Sequence, residues 1–290
     1  MSEQPIIIPC EGAPLVGVIN KPDNATKTGV VIVVAGGPQF RVGAHRQFVT
    51  LARMLADRKI TSLRFDHRGT GDSGGEFRGF IDMHADIRSA IDSLCAKVPE
   101  IENIILWGEC ESATAIAFYA YSDLRVKGLF MVNPWIRTEE GEAKTFLKHY
   151  YWNRLFEKEF WLKLKSGKFS VSDSIVSFFT LVRSAKVKTK DSKVSGNDEL
   201  AKLALPERLE KSCHIYAGKI FTLTSGKDYI AQEFKDYISA SSIWKNMIND
   251  KKMILEDIAD SDHTFSRLEW REQLLNYTGE WITDTFCDEH

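Results

Sequence analysis

Uninterrupted runs of β-branched and other apolar residues, each followed by an amphipathic stretch, leave this chain few architectures. The first, "GVVIVVAGGP", reads as a strand buried on both faces of a sheet. Phe48, Leu51, Ala52 and Leu55 then recur at helical spacing through "RQFVTLARMLAD". "ITSLRFDHRGTGDSGG" reads as a second buried strand entering a glycine-rich loop, and the helix after it carries Met83, Ile87, Ala90, Ile91 and Leu94 on one face. "NIILWGEC" is strand again, "ESATAIAFYAYS" helix and "VKGLFMVNPW" strand. This alternation predicts a parallel sheet with helices on both faces. Right-handed crossovers would bring the carboxyl ends of the strands to one edge, where such sheets place their sites. The loops "AGGPQF", "DHRGTGDS" and "GECES" leave from that edge. Upstream, "IIIPC" and "LVGVINKP" flank Glu11-Gly12-Ala13-Pro14 and predict a β-hairpin opening the sheet.

The alternation stops over residues 137–205, which are dense in aromatic residues and lysines, and resumes with "IFTLTSGKD" and "KKMILEDI" before a closing helix around "RLEWREQLLNYTGEWI". The expected organisation is therefore a core of residues 1–136 and 206–290, interrupted by a helical cap over 137–205. Tyr151, Trp152, Phe156 and Phe160 lie along the apolar face of a helix through 145–165 and are the candidate lining of a substrate pocket. A pair of surface helices leading into a polar linker is the plainer alternative. Contact with a membrane surface is a third reading, opposed by Glu139, Glu140, Glu142, Glu157 and Glu159, which interrupt the basic face.

Bulk properties narrow the function classes. A net charge of −2 offers no basic field for nucleic acid or anionic lipid. No apolar run approaches the roughly 20 residues that span a bilayer, so no stable membrane insertion is expected. "MSEQPIIIPCEG" lacks the basic and long apolar regions of a secretory signal. The five cysteines are odd in number and scattered, and with no CxxC pair they predict reduced thiols in a cytoplasm rather than disulfides or zinc. No metal or cofactor is implied, and the expected partner is a small-molecule acyl substrate.

Within "LWGECESATA", Cys110 falls where a strand turns sharply into a helix. Such an apex residue takes a positive φ, and its neighbours two places away must be small because strand and helix crowd there. Gly108 and Ser112 meet that need and make Cys110 the candidate nucleophile. A buried structural thiol is the bland alternative, and Ser112 a minor rival as nucleophile. A thiol needs a base and the base an orienting group, in the order nucleophile, acid, histidine. Of the later histidines, His263 in "DIADSDHTFSRLEW" occupies a polar loop between strand and helix, whereas His214 opens "HIYAGKIF" and His290 ends the chain. Asp228, just past "TLTSG", is the candidate orienting acid, with helix capping as its bland role and Asp260 and Asp262 as local rivals. The amide of Glu111 and that of Gly37 are the candidate oxyanion donors. The charges of Glu109 and Glu111 are expected to oppose a thiolate at Cys110. Asp66, Arg68 and Asp72 are expected to be structural, and His67 a solvated loop histidine, with an approach to the site as its alternative.

Over nearly the whole chain these features resemble the α/β-hydrolases. "FDHRGTGDSGG" and "SDHTFS" resemble the corresponding loops of lysophospholipase-like and S33-peptidase-like members. More narrowly, "GGPQFRVGAHRQFVTLAR", "LRFDHRGTGDSGG", "LWGEC", "NPWIR" and "SGKDYIAQEF" resemble the exosortase-A-system-associated hydrolases, bacterial proteins found with exopolysaccharide and protein-sorting gene clusters. The resemblance implies an α/β-hydrolase fold and a triad of Cys110, His263 and Asp228. Three functions follow: hydrolysis of an ester or thioester through an acyl-cysteine, acyl transfer by the same triad, or a catalytically silent fold used for interaction.

Overall fold

The computed structural model describes residues 1–34, 39–137 and 199–287. Gly37, His290 and the four aromatic residues proposed to line the cap lie outside them, as does nearly all of the expected insertion.

The sheet opens with β1 (Ser2–Cys10) and β2 (Ala13–Lys21), joined by a tight turn in which Glu11 and Gly12 both take positive φ. That conformation twists the two strands in the sense a hairpin needs. The turn is two residues long, so Ala13 and Pro14 fall inside β2 and pair with Cys10 and Pro9. Then follow β3 (Thr28–Val33), α1 (Gln47–Asp57), β4 (Thr61–Phe65), α2 (His84–Lys97), β5 (Asn103–Glu109), α3 (Glu111–Ala120) and β6 (Val126–Val132). After the undescribed stretch come α4 (Leu205–Ile215), β7 (Lys219–Ser225), α5 (Tyr229–Ala240), α6 (Ser242–Asn249), β8 (Met253–Ile258) and α7 (Leu268–Phe286). The eight strands form one sheet in the order β1-β2-β4-β3-β5-β6-β7-β8, with β2 antiparallel to its neighbours and every pair from β4 to β8 parallel. This is the α/β-hydrolase fold.

Alternation along the central strands divides the core into two layers. Val31, Val33, Leu106, Leu129 and Met131 pack under α2, α3 and α4. Val30, Ile32, Trp107, Phe130 and Phe221 pack under α1 and α7. Trp107, Phe130 and Phe221 are register partners on β5, β6 and β7, so their rings stack across the sheet, 6.3 Å and 4.9 Å between centroids. The helical faces expected of α1 and α2 are those buried: Phe48, Leu51, Ala52 and Leu55, and Met83, Ile87, Ala90, Ile91 and Leu94. The helices α4 and α6 are elements the sequence did not disclose. Only Arg208, Leu209, Ser212 and Cys213 are buried in α4, too short a stripe to read beside a charged exterior. His214 therefore sits in the last turn of a helix, exposed, and not in a strand.

Candidate active site

All parallel strands end at one edge, and four connections there carry the candidate groups. Cys110 lies between β5 and α3 with φ 59° and ψ −121°, the strained apex the sequence predicts. Its amide donates to the Val132 carbonyl at 2.8 Å and its carbonyl accepts from Ala113 (3.1 Å) and Trp135 (3.3 Å), which ties the turn to β6 on one side and to α3 on the other. A Cβ added to Gly108 would stand 2.7 Å from the backbone of Ser112, so strand and helix leave room there only for hydrogen. Ser112 is buried, and its hydroxyl donates to the Glu109 carbonyl while accepting from the Glu109 amide, both at 2.8 Å. The hydroxyl clamps the elbow.

Asp228 follows β7 and serves as N-cap of α5, accepting from the amides of Ile230 (3.1 Å) and Ala231 (3.3 Å). The same carboxylate accepts from Nδ1 of His263 at 2.6 Å. Capping and orientation are thus one arrangement, because the helix amides fix the carboxylate that His263 contacts. The rivals are engaged elsewhere: Asp262 accepts from the amides of Thr264 and Ser266 in its own loop, and Asp260 pairs with Lys227 at 2.9 Å. His263 hangs in the loop between β8 and α7. Its near neighbour Phe265 is fully buried with φ 48°, which anchors the loop in the core. With Nδ1 taken, Nε2 is left for a second partner, and the Cys110 side chain acts on the ring together with Asp228. Burial works against a charged imidazole here. The hydrogen bonds and charges of Asp228 and Cys110 outweigh it and raise the pKa to about 10.

A residue the sequence did not single out completes the frame. Asn133, after β6, has φ 46° and is fully buried. Its side chain exchanges two hydrogen bonds with Ser225 at the end of β7 (2.9 and 2.8 Å) and donates to the His263 carbonyl at 3.4 Å. An asparagine directly before proline at a strand end was the available signal.

Glu111 opens α3, so its amide has no acceptor within the helix and is free for an oxyanion. Its side chain is half-buried and lines, with Gln39, Phe40, Thr70 and Phe77, a cavity of about 690 Å³. Burial pushes the Glu111 carboxyl up, and burial pushes Glu109 up to about 7. The expected electrostatic penalty of the two glutamates is therefore reduced, because burial disfavours the very charge that would oppose a thiolate.

The "DHRGTGDS" loop is structural, as expected of Asp66, Arg68 and Asp72. Asp66 accepts from the amides of Arg41 (2.6 Å) and Asp72 (3.1 Å), and the Arg41 guanidinium bridges Asp66 and Asp72. Arg68 donates to both oxygens of Asp86 at the start of α2 and reaches Glu11 in the hairpin turn. His67 departs from the expectation of a solvated ring. It is buried against Phe77, 5.7 Å between centroids, and burial lowers its pKa.

Among the described residues there is no group of histidine, cysteine and carboxylate side chains arranged to hold a metal ion, and no helix long and apolar enough to cross a membrane.

Several solved structures share this fold. The Pyrococcus furiosus esterase Pf2001 superposes with a TM-score of 0.62 over 98% of this chain and 90% of its own, at 16% identity. Est1E from Butyrivibrio proteoclasticus, solved with ferulic acid bound, gives 0.62 over 96% and 98% at 17% identity. XC6422 from Xanthomonas campestris, described as an α/β serine hydrolase without a lid, gives 0.57 over 100% and 97% at 14% identity. No curated protein matches the chain. The family model for the serine aminopeptidase S33 hydrolases matches residues 27–179, a span that runs from β3 through the turn between β5 and α3 and beyond β6. With that match covering more than half of its length, the chain belongs to the serine aminopeptidase S33 family of hydrolases.

Proposed function

We propose that this hydrolase cleaves an ester or thioester through an acyl-cysteine intermediate, with Cys110 as nucleophile, His263 as acid and base, and Asp228 as the orienting carboxylate. One observation carries the reading: His263, in the loop after β8, is held by Asp228 through Nδ1 at 2.6 Å, which leaves Nε2 for the thiol at the elbow between β5 and α3. With its pKa raised to about 10, the imidazole has the proton affinity to accept the thiol proton. The sulfur then attacks the acyl carbonyl, the oxyanion accepts from the Glu111 amide, and the imidazolium returns its proton to the departing alcohol or thiol. Water gives a proton to the imidazole as it attacks the acyl-cysteine, and collapse of that second intermediate restores the thiol. Gly37, outside the described residues, is proposed as the second oxyanion donor, and residues 137–205 as a cap whose Tyr151, Trp152, Phe156 and Phe160 receive the acyl chain. The matching family model is that of serine aminopeptidases, and XC6422 is described as a serine hydrolase. Here serine stands two places later, at Ser112, with its hydroxyl occupied by the Glu109 backbone. The motif resemblance supports a role beside exosortase-type exopolysaccharide and protein-sorting systems in the cytoplasm.

The test is intact-protein mass spectrometry during turnover of a p-nitrophenyl ester and an acyl-thioester series. Wild type is expected to accumulate an acyl adduct that maps to Cys110, and Cys110→Ala to lose both the adduct and, by roughly 10³-fold or more, the turnover. Turnover retained in Cys110→Ala, or an adduct on Ser112, would overturn the reading.

A further inference from the structure

The last residue of β5 is a glutamate in a position made for an apolar side chain. Glu109 shares a sheet face with Trp107, two residues earlier, and is 6% exposed. Its backbone is pinned in both directions by Ser112, so the carboxyl has little freedom to turn away. One oxygen, Oε2, accepts from the Gln47 amide at 3.1 Å. The other, Oε1, is buried with no partner among the described residues. Among the described residues no lysine or arginine pairs with it; the charged groups that act on it are His263 and Asp228, from the loops after β8 and β7.

Burying a carboxyl this way is unfavourable, and an orphaned oxygen adds to the cost. A second cost lies alongside. Gln47 is the first residue of α1, and the two residues that deliver it, His45 and Arg46, both take left-handed conformations at φ 51° and 60°. Two unfavourable features that converge on one carboxyl beside the triad are the mark of a group kept for function rather than for stability.

We propose that Glu109 is a positioning residue of the Cys110–His263–Asp228 site: its carboxylate, carried by the elbow and clamped by Gln47, supplies a second negative charge that holds His263 as imidazolium, and its protonation releases that hold. The proposal rests on the mechanism above for its catalytic consequence, but the electrostatic contact itself is measurable without it. Burial is the largest influence on Glu109 and raises its pKa to about 7, against the opposing pull of His263 and the Gln47 amide and with Asp228 adding to the rise. The switch between the two states therefore falls near neutral pH.

Glu109→Gln in the full chain tests this, since it keeps the shape and an acceptor for Gln47 while removing the charge. Imidazole NMR, with the His263 signal assigned by its absence in His263→Gln, is expected to show the His263 pKa lower in Glu109→Gln than in wild type. In the pH profile of kcat/KM, the ionisation near 7 disappears in the variant, and the alkaline limb, set by His263, moves to lower pH. Stability moves the other way. The folded pKa of about 7 lies above the ordinary 4.5, so wild type loses stability relative to the variant as pH rises between those values, and above pH 7 Glu109→Gln is the more stable protein. A glutamate with a purely structural role would make the variant less stable there, and that result, or an unchanged His263 titration, overturns the proposal. Gln47→Met is the second variant: losing the amide's hydrogen bond shifts the same ionisation to higher pH, and an unshifted profile counts equally against it. Cys110→Ala, run in parallel, separates the two claims. If it keeps turnover while Glu109→Gln still lowers the His263 pKa, the cysteine mechanism falls and the Glu109 contact stands.

Discussion

At Cys110 a non-glycine side chain sits at φ 59°, and the neighbouring residues show why the chain tolerates it. The amide and carbonyl of Cys110 are both satisfied, by Val132 on one side and by Ala113 and Trp135 on the other, so the strained backbone is over-determined by its surroundings. Gly108 is the residue on which this geometry turns. Replacing it with alanine puts a methyl group 2.7 Å from the Ser112 backbone, and neither strand nor helix can yield without moving the thiol. Gly108→Ala is expected to cost about 1–3 kcal/mol in denaturant unfolding, with loss of Cys110 alkylation selectivity as the functional sign. Residue spacing made Gly108, Cys110 and Ser112 legible from the chain. The function of Ser112's hydroxyl was not, because it depends on the distance back to Glu109 across the turn.

Among the elements, α5 has a double function. Its N-terminus is capped by the carboxylate that also holds His263, so helix stability and ring orientation share one side chain. Substitutions separate the two. Asparagine is as good a cap as aspartate, so Asp228→Asn is expected to keep the melting temperature of wild type within a few degrees. It removes the charge that retains the proton on His263 and fixes the tautomer, and kcat/KM is expected to fall roughly 10³–10⁴-fold. Asp228→Ala should lose the same activity and, in addition, about 1 kcal/mol of stability in chemical denaturation. Equal stability of the asparagine and alanine variants would show that the cap contributes nothing. The sequence offered capping and orientation as competing roles for Asp228, since a single dimension does not show that one carboxylate has enough lone pairs in the right directions for both.

Across the whole molecule, the loop after β4 is the knot. Arg68 and Asp86, both almost fully buried, join that loop to α2, and Arg68 extends the network to Glu11 in the first hairpin. Asp66, Arg41 and Asp72 close the loop's other end. Removing one member of a buried pair leaves its partner charged and unsolvated, so Asp86→Ala is expected to cost about 3–5 kcal/mol in equilibrium unfolding. A loss below about 1 kcal/mol would mean that water reaches Arg68 and that the network is peripheral.

The sheet, its two helical layers and the elbow were written in local patterns. β-branched runs, helical periodicity and small residues flanking Cys110 act over a few positions, where sterics and burial leave little choice, and so the chain by itself determined them. The tertiary structure decided everything that spans strands. The contact of Asp228 with His263 and the seat of Asn133 against Ser225 and His263 depend on which strand ends lie side by side. The burial of His67 and the isolation of Glu109 depend on what packs over them. Charge on a buried group is set by neighbours distant in sequence, through desolvation and through fields that act across space, and no reading along one dimension contains those distances.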